Sequence, residues 1–213
     1  MRMKRVRVLL ADRHTVFTDC LAHVLQPEFE VVGVVSDGTA MVEMAKQHKP
    51  DVIIADTSMP QLSGIDAARI VRKELRSTKI LFLTMHSDHF LVEQALRAGA
   101  HGFVLKASGA HEFLDALRIV ARGETYITPA LSGDVISTLT TIGPQERQGD
   151  EPLTFRQRQL LQLVAEGKTM KEAATLMHIS TRTAESHKYE IMRRLGVETT
   201  AKLIRHAVEL KLV

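Results

Sequence analysis

Val52-Ile53-Ile54-Ala55-Asp56-Thr57-Ser58-Met59-Pro60 is an unbroken apolar run that stops on a carboxylate, two hydroxyls and a proline. A run of this length with no polar alternation predicts a strand covered on both faces, the signature of a parallel sheet sandwiched by helices. The flanking sequence repeats the pattern. Val6–Ala11, Val31–Val35, Ile80–Leu83 and Gly102–Leu105 also read as strands. Amphipathic stretches at Val16–Leu25, Thr39–Gln47, Ile65–Leu75, Phe90–Ala98 and Phe113–Ala121 separate or follow them. Gly99 and Gly123 follow the last periodic residues of two helices, and Pro50 closes another before a strand. A βα unit taken five times predicts an α/β fold, a five-stranded doubly wound parallel sheet with right-handed crossovers. Cys20 falls in the apolar pattern of the first helix and reads as core.

The rhythm stops at residue 124. Pro129–Leu139 reads as one further helix, and Thr140–Pro152, with Gly143, Pro144, Gly149 and Pro152, reads as a linker. From Leu153 the pattern is all-helical. Thr154 with Gln157 makes a capping-box pair ahead of Leu160, Leu161, Leu163 and Val164, and Gly167 ends that helix. Lys171–Met177 follows, then a turn at His178-Ile179, a helix capped by Ser180, and a last one over Ala201–Leu210. The chain of 213 residues thus divides into an α/β domain over 1–123, a helix and linker over 124–152, and an all-α four-helix domain over 153–213.

The net charge of +3 hides an uneven distribution. Residues 153–213 hold eleven Lys and Arg against six Asp and Glu, whereas residues 124–152 hold one against five. The single cysteine excludes an intramolecular disulfide and suits a reducing cytoplasm. No segment approaches the ~18 uninterrupted apolar residues of a membrane span, and charge interrupts the apolar run after Met1 too early for a signal peptide.

Ligands of open α/β sheets bind beyond the carboxyl ends of the strands, near the point where strand order reverses. Those ends carry Asp12, Asp56, Thr84 and Lys106. Two carboxylates can hold a hard cation such as Mg2+, while an ammonium and a hydroxyl can bind phosphoryl oxygens. A carboxylate is also a workable nucleophile for phosphoryl transfer.

Val8-Leu9-Leu10-Ala11-Asp12, Ile53 to Pro60 with Gly64, Leu83-Thr84-Met85-His86, and Ala98 to Lys106 together resemble the receiver domain of bacterial two-component response regulators, a flavodoxin-like fold. The resemblance covers residues 5–122. It implies that Asp56 accepts a phosphoryl group from a sensor histidine kinase. By the same resemblance, Asp12, Asp56 and the backbone carbonyl of Ser58 hold Mg2+, Thr84 and Lys106 bind the phosphoryl oxygens, and Phe103 is the switching aromatic. Receivers of this kind usually carry two adjacent acids after the first strand, and here the second is Arg13. The substitution removes a metal ligand and adds a permanent cation. Arg13 either pairs with Asp12 or Asp56 in the metal's place, or swings outward and leaves a weakened Mg2+ site.

At 100° per residue, Arg182, Ser186, Tyr189 and Arg193 share one face of the helix after Ser180, with Ala184, Ile191 and Leu195 on the other. A basic, hydrogen-bonding face on the second helix of a helical pair suits a DNA major groove. Leu153 to Leu161, Ala165-Glu166-Gly167-Lys168, Lys171-Glu172-Ala173-Ala174 and Ile179 to Val197 resemble the LuxR-type helix-turn-helix of the NarL/FixJ response regulators. Gln157 stands where that family usually has glutamate, and Ala184 where it often has valine. The resemblance makes Ser180–Leu195 the recognition helix. It implies Thr183, Lys188 and Arg194 as phosphate contacts, and Arg182, Glu185, Ser186 and Tyr189 as candidates for base edges, with Arg193 on the same face. The stripe Leu203, Ile204, Ala207 and Val208 packs either on the first helix of the module or across a dimer.

The expected protein is therefore a cytoplasmic, dimeric, non-enzymatic transcriptional regulator of double-stranded promoter DNA, phosphorylated at Asp56. Two other readings stay open. One is a pseudo-receiver transcription factor, suggested by Arg13. The other is a phosphate sink whose helical module binds protein.

Overall fold

The computed structural model describes residues 5–85, 89–131 and 153–213. The helix expected over Pro129–Leu139, beyond its first residues, and the linker over Thr140–Pro152 lie outside the described residues.

The α/β region runs β1 (Val6–Ala11), α1 (Thr15–Leu25), β2 (Phe29–Val35), α2 (Gly38–His48), β3 (Val52–Asp56), α3 (Gly64–Glu74), β4 (Lys79–Thr84), α4 (His89–Arg97), β5 (Gly102–Leu105) and α5 (Ala110–Ala121). All neighbouring strands are parallel, in the order β2-β1-β3-β4-β5-β6. The sixth strand, β6 (Tyr126–Ile127), corrects the expectation of five. With two residues at the sheet edge it is too short to carry a period, and it forms because Tyr126 and Ile127 pair with Gly102 and Phe103.

Strand alternation sorts the core into two layers. Leu9, Ala11, Ile53, Ala55, Ile80, Phe82 and Phe103 pack under α2, α3 and α4. Val8, Leu10, Val52, Ile54, Leu81, Leu83 and Val104 face α1 and α5. Every residue of β3 is buried, as its unbroken apolar run requires of a central strand. The chain turns from β1 outward to β2, then crosses to β3 on the other side. This places the reversal of strand order between β1 and β3, whose carboxyl ends carry Asp12 and Asp56.

Cys20 corrects a second expectation, because it is exposed. On α1 the buried positions are Thr18 and Leu25, with Phe17, Leu21 and Ala22 partly buried, and Cys20 lies outside that stripe.

The helical region consists of α6 (Phe155–Ala165), α7 (Met170–Leu176), α8 (Thr181–Leu195) and α9 (Thr200–Glu209), packed around Leu160, Leu161, Leu163, Ala173, Ala184, Ile191, Leu203 and Ala207. Thr154 and Gln157 form the expected reciprocal cap, so glutamine serves there as well as glutamate. Thr169 and Glu172 cap α7 in the same way. Gly196 ends α8 at φ 65°, a left-handed conformation that a Cβ would strain.

The two regions touch through α6. The Arg158 guanidinium donates to both carboxylate oxygens of Asp66 on α3, with Nη2 2.9 Å from Oδ1. Gln162 Nε2 donates to the Met59 carbonyl, and the Gln61 backbone N–H donates to the Glu166 carboxylate at 3.1 Å.

Candidate phosphoacceptor site and nucleic-acid interface

Three of the four residues singled out at the strand ends, Asp12, Asp56 and Lys106, bring their side chains together, while the Thr84 hydroxyl lies 3.2 Å from that of Thr57. Lys106 Nζ lies 2.5 Å from Asp12 Oδ2 and 2.7 Å from Asp56 Oδ2, and the three side chains are 5–7% exposed. A buried ammonium bridging two carboxylates offsets charge that would otherwise be costly to remove from water. The ammonium also sits 5.0 Å from the centre of the Phe17 ring. The Ser58 backbone N–H donates to Asp56 Oδ1 at 3.2 Å, which fixes the second carboxylate oxygen. Thr84 and Phe103 are fully buried, and the Phe103 ring packs on Phe82 at a centroid distance of 6.4 Å.

Gly64 explains how α3 starts so close to the site. A Cβ there would lie 1.8 Å from the Asp56 carbonyl oxygen, so any side chain would push the helix away from β3.

Arg13 is exposed, and among the described residues no ion pair joins it to Asp12 or Asp56. Lys106 rather than Arg13 contacts the two carboxylates. His14, which sequence reasoning did not single out, stands closer. Its Nδ1 lies 2.8 Å from Asp12 Oδ1 and 4.0 Å from Asp56 Oδ2, and its backbone N–H also donates to Asp12. Asp12, His14 and Asp56 form a group with ligand atoms close enough to share one cation. Nothing in the apolar periodicity could flag His14, because it precedes the first helical residue.

The second candidate surface lies on α8. Ala184 and Ile191 are buried and Leu195 half-buried, so the expected inward face is inward. Arg182, Thr183, Glu185, Ser186, Tyr189, Arg193 and Arg194 are exposed and Lys188 half-buried, with Tyr189 at 72%. The Ser180 hydroxyl accepts from the Thr183 N–H, so the cap orients the first turn of the helix. On α9, Leu203 and Ala207 are buried among the helices, whereas Val208 is 54% exposed. Packing within the module therefore uses part of that stripe and leaves its edge at the surface.

A doubly wound sheet with paired carboxylates and a lysine at its switch point, joined to a capped helix-turn-helix, defines the class of two-domain regulators with an α/β input and a DNA-binding output. The family model for the response regulator receiver domain matches residues 8–118, and that for bacterial regulatory proteins of the luxR family matches residues 151–207. The chain is 36% identical over 207 residues to the transcriptional regulatory protein MctR of Rhizobium johnstonii, covering 96% of this chain and 94% of that one. It is 37% identical over 205 residues to the transcriptional regulatory protein LiaR of Bacillus subtilis, with 94% and 97% covered. A structure of two RcsB dimers bound to two parallel DNAs matches at 26% identity and a TM-score of 0.58, covering 99% of this chain and all of that one. This chain belongs to the LuxR family of response regulators: it is a DNA-binding transcriptional regulator with a receiver domain, and not an enzyme. Among the described residues no helix is long and apolar enough to cross a membrane.

Proposed function

We propose that residues 1–123 form the receiver, that residues 124–152 connect it to a DNA-binding domain over 153–213, and that phosphorylation of Asp56 by a sensor histidine kinase controls promoter binding by a homodimer in the cytoplasm. The observation that carries this reading is the Lys106 ammonium held between the buried carboxylates of Asp12 and Asp56. An Asp56 carboxylate oxygen bonds to phosphorus as the P–N bond of the kinase's phosphohistidine breaks, and the leaving imidazole keeps the electron pair and takes up a proton. Lys106 is placed to trade its bond to Asp56 for one to a phosphoryl oxygen. Thr84 supplies a hydroxyl to a second oxygen, and Phe103 follows the movement of Thr84.

The donor set fits Mg2+, although with one acid fewer than usual. Asp12, Asp56 and the Ser58 carbonyl are hard oxygen donors, and the two carboxylates stand close enough to share Lys106. When bound, the cation supplies charge neutralisation for the phosphoryl oxygens. Arg13, which is exposed, lowers cation affinity by repulsion and by the missing carboxylate.

On the output side, Arg182, Glu185, Ser186 and Tyr189 are proposed to read base edges from α8, with Arg193 on the same DNA-facing side, and Thr183, Lys188 and Arg194 to hold phosphates. The exposure of that helix supports this assignment, and so does a relative of full-length match whose structure contains two dimers on DNA. The test treats the protein with acetyl phosphate, or beryllofluoride, plus Mg2+ and follows dimerisation by light scattering. Wild type dimerises and binds promoter DNA more tightly, and Asp56→Asn does neither. If wild type is unresponsive while Arg13→Asp responds, phosphorylation control of this chain is refuted.

A further inference from the structure

Thr57 follows Asp56 but faces the other way. Asp56 borders Leu10, Ile54 and Leu83 on the α1 and α5 side, whereas Thr57 lines a cavity of about 280 Å3 with Ser63, Ile65 and Leu91 on the α3 and α4 side. Asp56 is the register partner of Leu83, so Thr57 stands opposite Thr84 one step further along the two strands. Both threonines are buried, and their hydroxyl oxygens are 3.2 Å apart. Among the described residues this is the side-chain hydrogen bond of Thr57.

We infer that Thr57 is a positioning residue of the switch: its hydroxyl holds the Thr84 hydroxyl on the α3 and α4 side of the sheet, and must release it before Thr84 can bind a phosphoryl group on Asp56. This rests on the reading of Asp56 as phosphoacceptor and of Thr84 as its hydroxyl ligand. Threonine χ1 is confined to staggered wells, so one rotamer cannot aim the oxygen at Thr57 and at Asp56 on the opposite side of the chain. A phosphoryl oxygen only accepts, so Thr84 must direct its single proton there. Turning Thr84 leaves the Thr57 hydroxyl buried with its former partner gone, a penalty borne by the activated state. The 3.2 Å bond therefore sets a threshold for activation.

Thr57→Val keeps shape and branching but removes the hydroxyl, and Thr57→Ser keeps the hydroxyl. With the full chain, beryllofluoride and Mg2+, Thr57→Val lowers the half-saturating concentration for dimerisation by about two- to tenfold, the worth of one net hydrogen bond. Thr57→Ser matches wild type. The Thr84 methyl carbon shift, read by NMR without beryllofluoride, reports its rotamer populations: wild type and Thr57→Ser share one distribution, and Thr57→Val shifts it. Equal populations in wild type and Thr57→Val overturn the inference whatever beryllofluoride does. An unchanged or raised half-saturation in a responsive Thr57→Val protein overturns it too. A wild type deaf to beryllofluoride overturns instead the phosphoacceptor reading, and with it the threshold, while the populations still decide whether Thr57 positions Thr84.

Discussion

Arg158 and Asp66, 92 residues apart, form an ion pair whose side chains are 11% and 3% exposed, and it joins the first helix of the helical module to the helix that follows the loop after Asp56. Asp66 also receives Arg69 Nη1 at 2.6 Å and the Ser63 hydroxyl, so its carboxylate is anchored to the receiver from both sides. Arg158 in turn donates to the Leu153 carbonyl, which ties the start of α6 to the same node. The contact leaves Arg182, Glu185, Ser186 and Tyr189 of α8 exposed, so the receiver holds the module by its first helix without covering the face proposed to read DNA.

Breaking this pair should weaken the contact between the two regions, which Gln162 and Glu166 also hold. Arg158→Ala leaves Asp66 with Arg69, so the cost falls below the ~3–5 kcal/mol of a fully orphaned buried charge, at about 1–3 kcal/mol. A double-mutant cycle with Asp66→Ala should give a coupling energy of about 1–2 kcal/mol in chemical unfolding. Calorimetry of Arg158→Ala should show melting of the two regions further apart in temperature than in wild type. Additive single-variant effects would mean that the pair does not join the regions in solution.

Arg13 offers a gain-of-function test. Restoring the second acid with Arg13→Asp exchanges a cation for a carboxylate beside Asp12, so Mg2+ should bind about tenfold more tightly or better. Isothermal titration of the full chain with Mg2+ measures this directly. Equal affinities would place residue 13 outside the cation's reach.

His101 sets a pH dependence of stability. Burial, followed by the nearby charges of Arg72 and Lys79, lowers its pKa from 6.5 to about 4, and its Nδ1 accepts the Ile80 N–H at 3.3 Å. A folded pKa below the unfolded one means that the unfolded chain binds the proton more readily. The contribution is therefore complete above pH 6.5 and is lost as the pH falls towards 4. With partial solvent access it amounts to about 1–3 kcal/mol. His101→Asn should flatten the fall in melting temperature between pH 7 and pH 4.5. An unchanged slope would assign acid sensitivity to other groups.

The sheet was legible because Val52 to Ala55, Ile80 to Leu83 and their neighbours must be apolar on both faces, a demand that leaves its mark on consecutive residues. Asp12, Asp56 and Lys106 were legible for a related reason: topology brings strand ends together whatever lies between them in sequence. Arg158, Gln162 and Glu166 left no such mark. They are polar residues on α6, and their role depends on which neighbour covers that side of the helix, which periodicity within the helix does not encode. Cys20 shows the converse error, an apolar residue one position off the buried stripe. The strand Tyr126–Ile127 is too short for any period to register.

The DNA contacts proposed for α8 are of two kinds that substitution can tell apart. Arg182 and Tyr189 sit on the exposed face opposite Ala184 and Ile191, where side chains reach base edges when the helix lies in the major groove. Lys188 and Arg194 flank that face, and among the described residues Arg194 is engaged only by an exposed pair with Glu190 at 3.4 Å, which is weak enough to exchange for a phosphate. Arg182→Ala should cost about 1–3 kcal/mol on the preferred operator and much less on unrelated duplex, because a base contact carries sequence information. Lys188→Ala should weaken both about equally and reduce the slope of log K against log salt by about one, because one fewer counterion is released. Fluorescence anisotropy of labelled duplexes across a salt series measures both quantities. If Arg182→Ala weakens specific and unrelated DNA equally, Arg182 holds the backbone and the base-reading face of α8 must be redrawn around Glu185, Ser186 and Tyr189.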